Sequence, residues 1–434
     1  MRPLAIVVLF LAGSAGGGNT GQEPLPQGGR WSDEHLWYGK AIAGVGDVDG
    51  DGCGDFAVSA PYARWSTDPL SGGGIVRLHS GRTGRILWES RGFLGETLVC
   101  VQDANEDGTP DLALDVEAGK AIVLSGCTGE QIRLSRRQAG LARPTRGTAG
   151  TAAPWLDVNG DGVGDPSIAA LLAASAVFRE HPALGRAILL TADGPLVRGA
   201  EEVTAFKVSL LVADLDGNSS PEIVLQSLFW MSDPERSELH LAAMPLTGGP
   251  ELWATELFTC HGAWAYACRM ADADADQVED IAVGLTCPDG AHAGAVWIFS
   301  GRTGAPIHQV TVAMPSSLLG NSLAPAGDLD GDGFGDLLVT QYEGLFRDGS
   351  VTRGRVYLVS GLSGSVLWSS AEPQAGSREP WEDFGASVAG IGDIDGDDLP
   401  DLAVGAMNDG TGAFWPGAVH VYSGASGRWI YSLP

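Results

Sequence analysis

The 434-residue chain carries 54 Asp and Glu against 26 Lys and Arg, a formal charge of −28. A chain this acidic has no basic stripe to neutralise phosphates, which argues against a nucleic-acid partner. Its 63 Gly follow no three-residue period, which excludes collagen and fits a protein of many turns.

Residues 1–15 open on Arg2, run through the apolar stretch Leu4–Ala12 and end in Gly-Ser-Ala. That order predicts a secretory signal cleaved near Ala15. The apolar run is too short to span a bilayer. Residues 16–30 read as a flexible Gly/Pro/Gln leader. No later segment is long and apolar enough to cross a membrane, so the expected location is secreted, periplasmic or cell-surface.

Residues 31–434 are organised around a nine-residue loop, clearest at Asp328-Leu-Asp330-Gly-Asp332-Gly-Phe334-Gly-Asp336. Carboxylates at positions 1, 3, 5 and 9 converge, Gly at positions 4 and 6 allows sharp turning, and the carbonyl at position 7 adds a ligand. Hard oxygen donors in a tight loop predict Ca²⁺. Position 12 is Val339 rather than Glu, and a strand-like run follows, so the loop joins two strands and is not an EF-hand.

Seven copies recur at spacings of 54–65 residues, which marks a repeat protein. Loop one offers Asp47, Asp49, Asp51 and Asp55 with the carbonyl of Cys53. Loop two offers Asp103, Asn105, Asp107 and Asp111 with Thr109, and loop three Asp157, Asn159, Asp161 and Asp165 with Val163. Loop four offers Asp214, Asp216, Asn218 and Glu222 with Ser220, and loop five Asp272, Asp274, Asp276 and Asp280 with Val278. Loop six is the example above, and loop seven offers Asp393, Asp395, Asp397 and Asp401 with Leu399. Twenty-five acids occupy these positions, so up to seven Ca²⁺ would halve the formal charge of −28.

Loops one, six and seven rank first, three and two next, five and four last. Loop five replaces the glycines with Ala275 and Gln277, and loop four ends in a longer Glu arm. At about 1 mM Ca²⁺ and a Kd near 10⁻⁵ M, each site would add roughly 2.7 kcal/mol, a structural role.

Each unit follows one template. In the last, strand A begins at Phe384, strand B is Leu402–Ala406, strand C is Gly417–Tyr422, Ser423–Gly427 is a hairpin turn, and strand D begins at Arg428. The turn recurs at residues 80–84, 125–129, 300–304 and 360–364. Four strands in each of seven units predict an all-β, seven-bladed β-propeller of four-stranded blades, with calcium loops between strands A and B. Residues 169–180 come nearest to helical periodicity and read as a strand with its flanking loop.

The motif series resembles the FG-GAP repeat of integrin α-chain propellers and related secreted proteins. The FG element is Tyr38-Gly39, Leu94-Gly95, Leu319-Gly320 and Phe384-Gly385; the GAP element is Ser59-Ala60-Pro61 and Gly405-Ala406-Met407. The resemblance spans about residues 31–434 and implies the same propeller with calcium loops on one face. It does not extend to leg domains, a transmembrane helix or a von Willebrand-type insert, and looks closer to free-standing secreted proteins. Units three, four and five lack a clear aromatic-Gly pair.

The six Cys permit three disulfides. Cys268–Cys287, Cys260–Cys268 and Cys100–Cys127 all stand open, and Cys53 is expected as a free thiol. Trp88, Trp253 and Trp368 each lie four residues after the Gly of a C–D turn, which predicts packing between blades. Tyr62, Trp65, Trp230, Phe346 and Trp415 follow strand B and are candidate partner-binding residues on the face away from calcium.

HExxH, GxSxG, Walker and dinucleotide motifs are missing, so no catalytic residue is assigned. The expected function is an adhesion or binding module for an extracellular protein or glycan. The alternatives are an extracellular hydrolase or lyase acting on polysaccharide or lipid, and a structural surface scaffold.

Overall fold

The computed structural model describes residues 9–11, 37–61, 63, 73–92, 98–101, 103–116, 120–132, 178–181, 186–191, 194–198, 203–217, 222–231, 237–245, 251–259, 264–286, 294–312, 318–342, 344–345, 351–352, 354–371, 373, 383–407 and 417–433. All regular structure among them is β.

Four units are four-stranded antiparallel sheets in chain order A-B-C-D. Unit one contains Ile42–Gly46, Asp55–Ala60, Ile75–His79 and Ile86–Arg91. Unit five contains Trp264–Met270, Asp280–Thr286, Ala295–Phe299 and Pro306–Thr311. Unit six contains Leu318–Gly327, Asp336–Tyr342, Arg355–Val359 and Val366–Ala371. Unit seven contains Phe384–Gly392, Asp401–Ala406, Ala418–Tyr422 and Trp429–Leu433.

The described residues of the other three units carry the following strands. Unit four has Val203–Ala213, Glu222–Met231, Ser237–Pro245 and Trp253–Thr259, and Leu9–Leu11 pairs along its first strand. That added strand lies inside the stretch expected to be a signal. Unit two shows three strands among the described residues, Leu98–Val101, Asp111–Val116 and Lys120–Leu124, and a bridge from Leu124 to Gln131. Unit three shows Phe178–His181, Arg186–Thr191 and Gly194–Arg198. Of residues 169–180, only the last three are described, and they lie in a strand.

Strand B is buried at every residue in units one, five and seven. A strand covered on both faces reads as a continuous apolar run rather than an alternating one. Its covers are the neighbouring units. Val224 and Leu239 of unit four pack with Ile281 and Phe299 of unit five. Ala282 and Ile298 pack with Leu337 and Val339 of unit six, and Leu338 and Leu358 with Val404 and Tyr422 of unit seven. Ile391 and Val421 of unit seven pack with Phe56 and Val58 of unit one, and Val76 and Leu78 with Leu112 and Leu114 of unit two. The last unit therefore adjoins the first. The Ser387 hydroxyl crosses that seam to the Gly39 carbonyl at 2.7 Å, and the Gly54 amide reaches the Asp393 carbonyl at 3.2 Å.

The aromatic-Gly element has a physical reason. Tyr38 and Phe384 are fully buried. The Tyr38 hydroxyl donates to His79 Nε2, because Nδ1–H is committed to the Gly84 carbonyl at 2.9 Å. Burial holds the His79 imidazole down to about 4. Gly39 has φ +84°, and a Cβ there would stand 2.7 Å from the Ala418 carbonyl oxygen of unit seven. Glycine thus lets strand A press against the preceding unit.

The tryptophans bridge units as their spacing predicts. Trp88 Nε1–H donates to the Gly126 carbonyl at 2.8 Å, Trp253 to Gly301 at 2.6 Å and Trp368 to Gly424 at 2.9 Å. Each acceptor belongs to the C–D turn of the next unit. Two residues at the same offset do this without being Trp. His308 Nε2–H donates to the Leu362 carbonyl at 2.8 Å, and the Tyr431 hydroxyl to the Gly81 carbonyl at 2.6 Å.

Candidate metal centres

The loops are built by their own carboxylates. In loop one Asp47 Oδ1 accepts from the amides of Gly50 (2.7 Å) and Asp51 (3.1 Å), and Oδ2 from Gly52 (2.9 Å). Asp51 Oδ1 accepts from Cys53 at 2.9 Å. Loop six repeats this through Asp328 and Asp332, and loop seven through Asp393 and Asp397. In loop two Asp103 takes the amides of Asp107 (3.1 Å) and Gly108 (2.7 Å), and Asn105 bonds Asp107 by both its oxygen and its amide.

The expected loss of the turn in loop five does not occur. Ala275 and Gln277 take φ of 69° and 68°, Asp398 of loop seven takes 66°, and Glu106 of loop two takes 62°. Amide–carboxylate bonds hold Ala275, Gln277 and Asp398 in the conformation glycine adopts elsewhere.

Position nine is different in kind. Asp55, Asp111, Asp280, Asp336 and Asp401 are fully buried at the start of strand B. In each, Oδ2 accepts the amide of loop position two, at 2.8 Å from Val48 in loop one. The other oxygen accepts from the first Gly of the unit's own C–D turn, at 3.0 Å from Gly81. The A–B loop and the C–D turn therefore lie at the same end of each sheet, and the B–C loop lies at the other. Burial pushes Asp280 up to about 7 and Asp336 and Asp401 up to about 6, against their amide bonds. Glu222, raised to about 7 by burial, fills the position in unit four and accepts from Leu215 at 2.7 Å. The longer Glu arm keeps the contact.

The donor set fits a hard divalent cation. Carboxylate oxygens of Asp47, Asp49 and Asp55 lie within 4.8 Å of one another. So do those of Asp103, Asp107 and Asp111; of Asp214, Asp216 and Glu222; of Asp272, Asp274 and Asp276; and of Asp328, Asp330 and Asp332. Like charges so close repel, a cation among them would offset that repulsion, and oxygen-only donors suit Ca²⁺. In two loops an arginine of the C–D turn takes part. Arg82 Nε lies 3.4 Å from Asp51 Oδ2, and Arg302 Nε 3.1 Å from Asp276 Oδ2.

Several expected site residues fall outside the description. Loop three (Asp157, Asn159, Asp161, Val163, Asp165) lies outside the described residues, as do Asn218 and Ser220 of loop four and Tyr62, Trp65, Phe346 and Trp415. Trp230 is corrected: it lies within strand B of unit four, paired with Ala205 and Ser237, not in the loop beyond. The run Glu222–Met231 keeps enough β-favouring residues to prolong the strand. The cysteine pairings are also corrected. Cys53, Cys100, Cys127 and Cys268 are free thiols, which removes all three candidate bridges. Cys268 sits mid-strand, where burial pushes its thiol up to about 12, and Cys100 likewise to about 11. Cys53 is free as expected, its thiol buried 3.6 Å from the Ile394 carbonyl of unit seven.

Comparison with known proteins agrees with this geometry. The FG-GAP repeat model matches residues 39–79, 319–359 and 384–422, which are units one, six and seven. Integrin alpha-7 of Homo sapiens is 32% identical over 152 residues, 34% of this chain and 12% of the relative. Integrin alpha-5 of Xenopus laevis is 28% identical over 38% of this chain and 16% of the relative. This chain thus spans less than a fifth of the length of these relatives. Among solved structures, the rhamnogalacturonan lyase YesW aligns over 85% of this chain and 59% of its own at 14% identity, with a TM-score of 0.35. A Bacillus licheniformis rhamnogalacturonan lyase aligns over 55% of this chain and 61% of its own at 14% identity, with a TM-score of 0.32. Likeness at that level bears on neither fold nor activity.

Units one, six and seven carry FG-GAP repeats. The chain is distantly homologous to integrin α chains over about a third of its length.

Proposed function

We propose that the chain is an exported, seven-bladed, calcium-braced β-propeller that serves as a binding or adhesion module, not as an enzyme. One observation carries the metal reading: the same carboxylate-built loop recurs between strands A and B in units one, two, five, six and seven. The packing of unit seven against unit one supports a closed ring. The integrin likeness favours adhesion, and the apolar run before Ala15 favours export. Cleavage there removes the strand Leu9–Leu11 from the mature protein.

Ca²⁺, when bound, supplies positive charge that positions 1, 3, 5 and 9 and the position-seven carbonyl would hold. This chain's own residues do the rest: they bend the loop, bury position nine and tie it to the C–D turn. Partner binding falls to the B–C loops at the opposite end, where Tyr62, Trp65, Phe346 and Trp415 lie in sequence. The partner would be an extracellular protein or a glycan.

Elemental analysis tests the metal, with about five to seven Ca²⁺ per chain expected and a large fall in melting temperature on chelation. A metal-free, chelator-indifferent protein would refute the reading. For the partner face, Trp65→Ala and Trp415→Ala should abolish capture on glycan and protein arrays at an unchanged melting temperature. Turnover of a glycan that survives both substitutions would instead favour an enzyme.

A further inference from the structure

Two bonds described separately above meet on one residue. The Gly81 amide donates to the position-nine carboxylate of Asp55 at 3.0 Å, and the Gly81 carbonyl accepts the Tyr431 hydroxyl of unit seven at 2.6 Å. Gly126 stands in the same way between Asp111 (3.0 Å) and Trp88 (2.8 Å). Gly301 stands between Asp280 (2.8 Å) and Trp253 (2.6 Å), and Gly424 between Asp401 (2.9 Å) and Trp368 (2.9 Å). Unit six shifts the pattern by one residue: Asp336 takes the Gly361 amide at 3.2 Å, and His308 reaches the Leu362 carbonyl at 2.8 Å.

The line from acid to glycine to ring leaves little slack. A Cβ at Gly81 would stand 1.9 Å from the Gly54 carbonyl of loop one, so the turn is pressed against the loop. The acid and its bond to the glycine amide are buried, where a hydrogen bond is stronger than in water. Displacing position nine moves the turn residue, and with it the carbonyl that the neighbouring ring needs.

The geometry points to a conformational coupling in which the calcium loop in each of units one, two, five, six and seven and that unit's seam with the preceding one order together. Asp55, Gly81 and Tyr431 form the latch between the last unit and the first. Tyr431 is a positioning residue for loop one, although it lies in unit seven and touches no loop carboxylate in these contacts. This rests on the calcium reading above. Linkage makes the effect reciprocal: calcium in loop one tightens the seam, and the closed seam raises calcium affinity in loop one.

Calcium titration of the full chain, followed by hydrogen exchange of loop peptides, tests it. Tyr431→Phe removes one hydroxyl and keeps the ring. The calcium concentration that protects residues 47–55 should rise about two- to tenfold, the worth of one hydrogen bond, while residues 328–336 and 393–401 stay where they were. Trp368→Phe should move the shift to residues 393–401. No shift, or an equal shift in every loop, overturns the coupling while leaving the metal reading intact. A wild-type chain whose loops gain no protection from calcium overturns both.

Discussion

Loops five and six lie in adjoining units and trace one backbone with different residues. In loop six, Gly331 and Gly333 take φ of 79° and 92°; in loop five, Ala275 and Gln277 take 69° and 68°. Asp328 accepts from Gly331 (2.7 Å), Asp332 (3.1 Å) and Gly333 (2.9 Å), and Asp272 accepts from Ala275 (2.7 Å), Asp276 (3.2 Å) and Gln277 (2.8 Å). The position-one carboxylate imposes the turn, and glycine only lowers what the turn costs. A left-handed residue with a Cβ costs roughly 1–2 kcal/mol, so loop five holds its shape against strain that loop six escapes.

The largest test of this equivalence is the buried acid. Asp336→Ala and Asp280→Ala each strip the acceptor from two buried amides and should each cost about 3 kcal/mol in urea unfolding with chelator present, and more in millimolar calcium because position nine is also a ligand. A much smaller loss at Asp280 would show that loop five is not held as loop six is. Position three separates metal from scaffold. Asp330 and Asp274 are exposed, and Asp330→Ala or Asp274→Ala should cost about 2–3 kcal/mol in millimolar calcium and almost nothing in chelator. A chelator-independent loss would assign these carboxylates to the fold instead.

Much of this was legible in sequence because the repeat supplies its own register. Among the described residues, the aligned loops located strands A and B in six units, and the offset of Trp88, Trp253 and Trp368 located the seams. The same offset marks His308 and Tyr431, but a search for tryptophan passes over them; what the position requires is a ring with a donor. Loop five looks weak in sequence only if glycine causes the turn, whereas Asp272 does. Cysteine pairing was illegible for a simpler reason: Cys53 is buried in a loop and Cys268 half-buried in a strand, and their count says nothing about which way they face. Strand B of unit four ran past its expected end because Phe229 and Trp230 suit a strand as well as a binding loop.

The smallest effect is the sharpest probe of the strain. At Gly333 a Cβ would have open space around it, so Gly333→Ala changes conformational energy and little else. The left-handed penalty of about 1–2 kcal/mol is partly offset by the stiffer unfolded chain, leaving a net loss of about 1 kcal/mol. Gln277→Gly runs in reverse: relief of strain outweighs the added freedom of the unfolded chain, for a net gain of about 0.5 kcal/mol. Urea midpoints at constant slope read both. Shifts of opposite sign would mean that both loops sit on one conformational scale. A loss at Gly333 with no gain at Gln277 would mean that the Gln277 side chain has found compensation of its own, and that the two backbones coincide for different reasons.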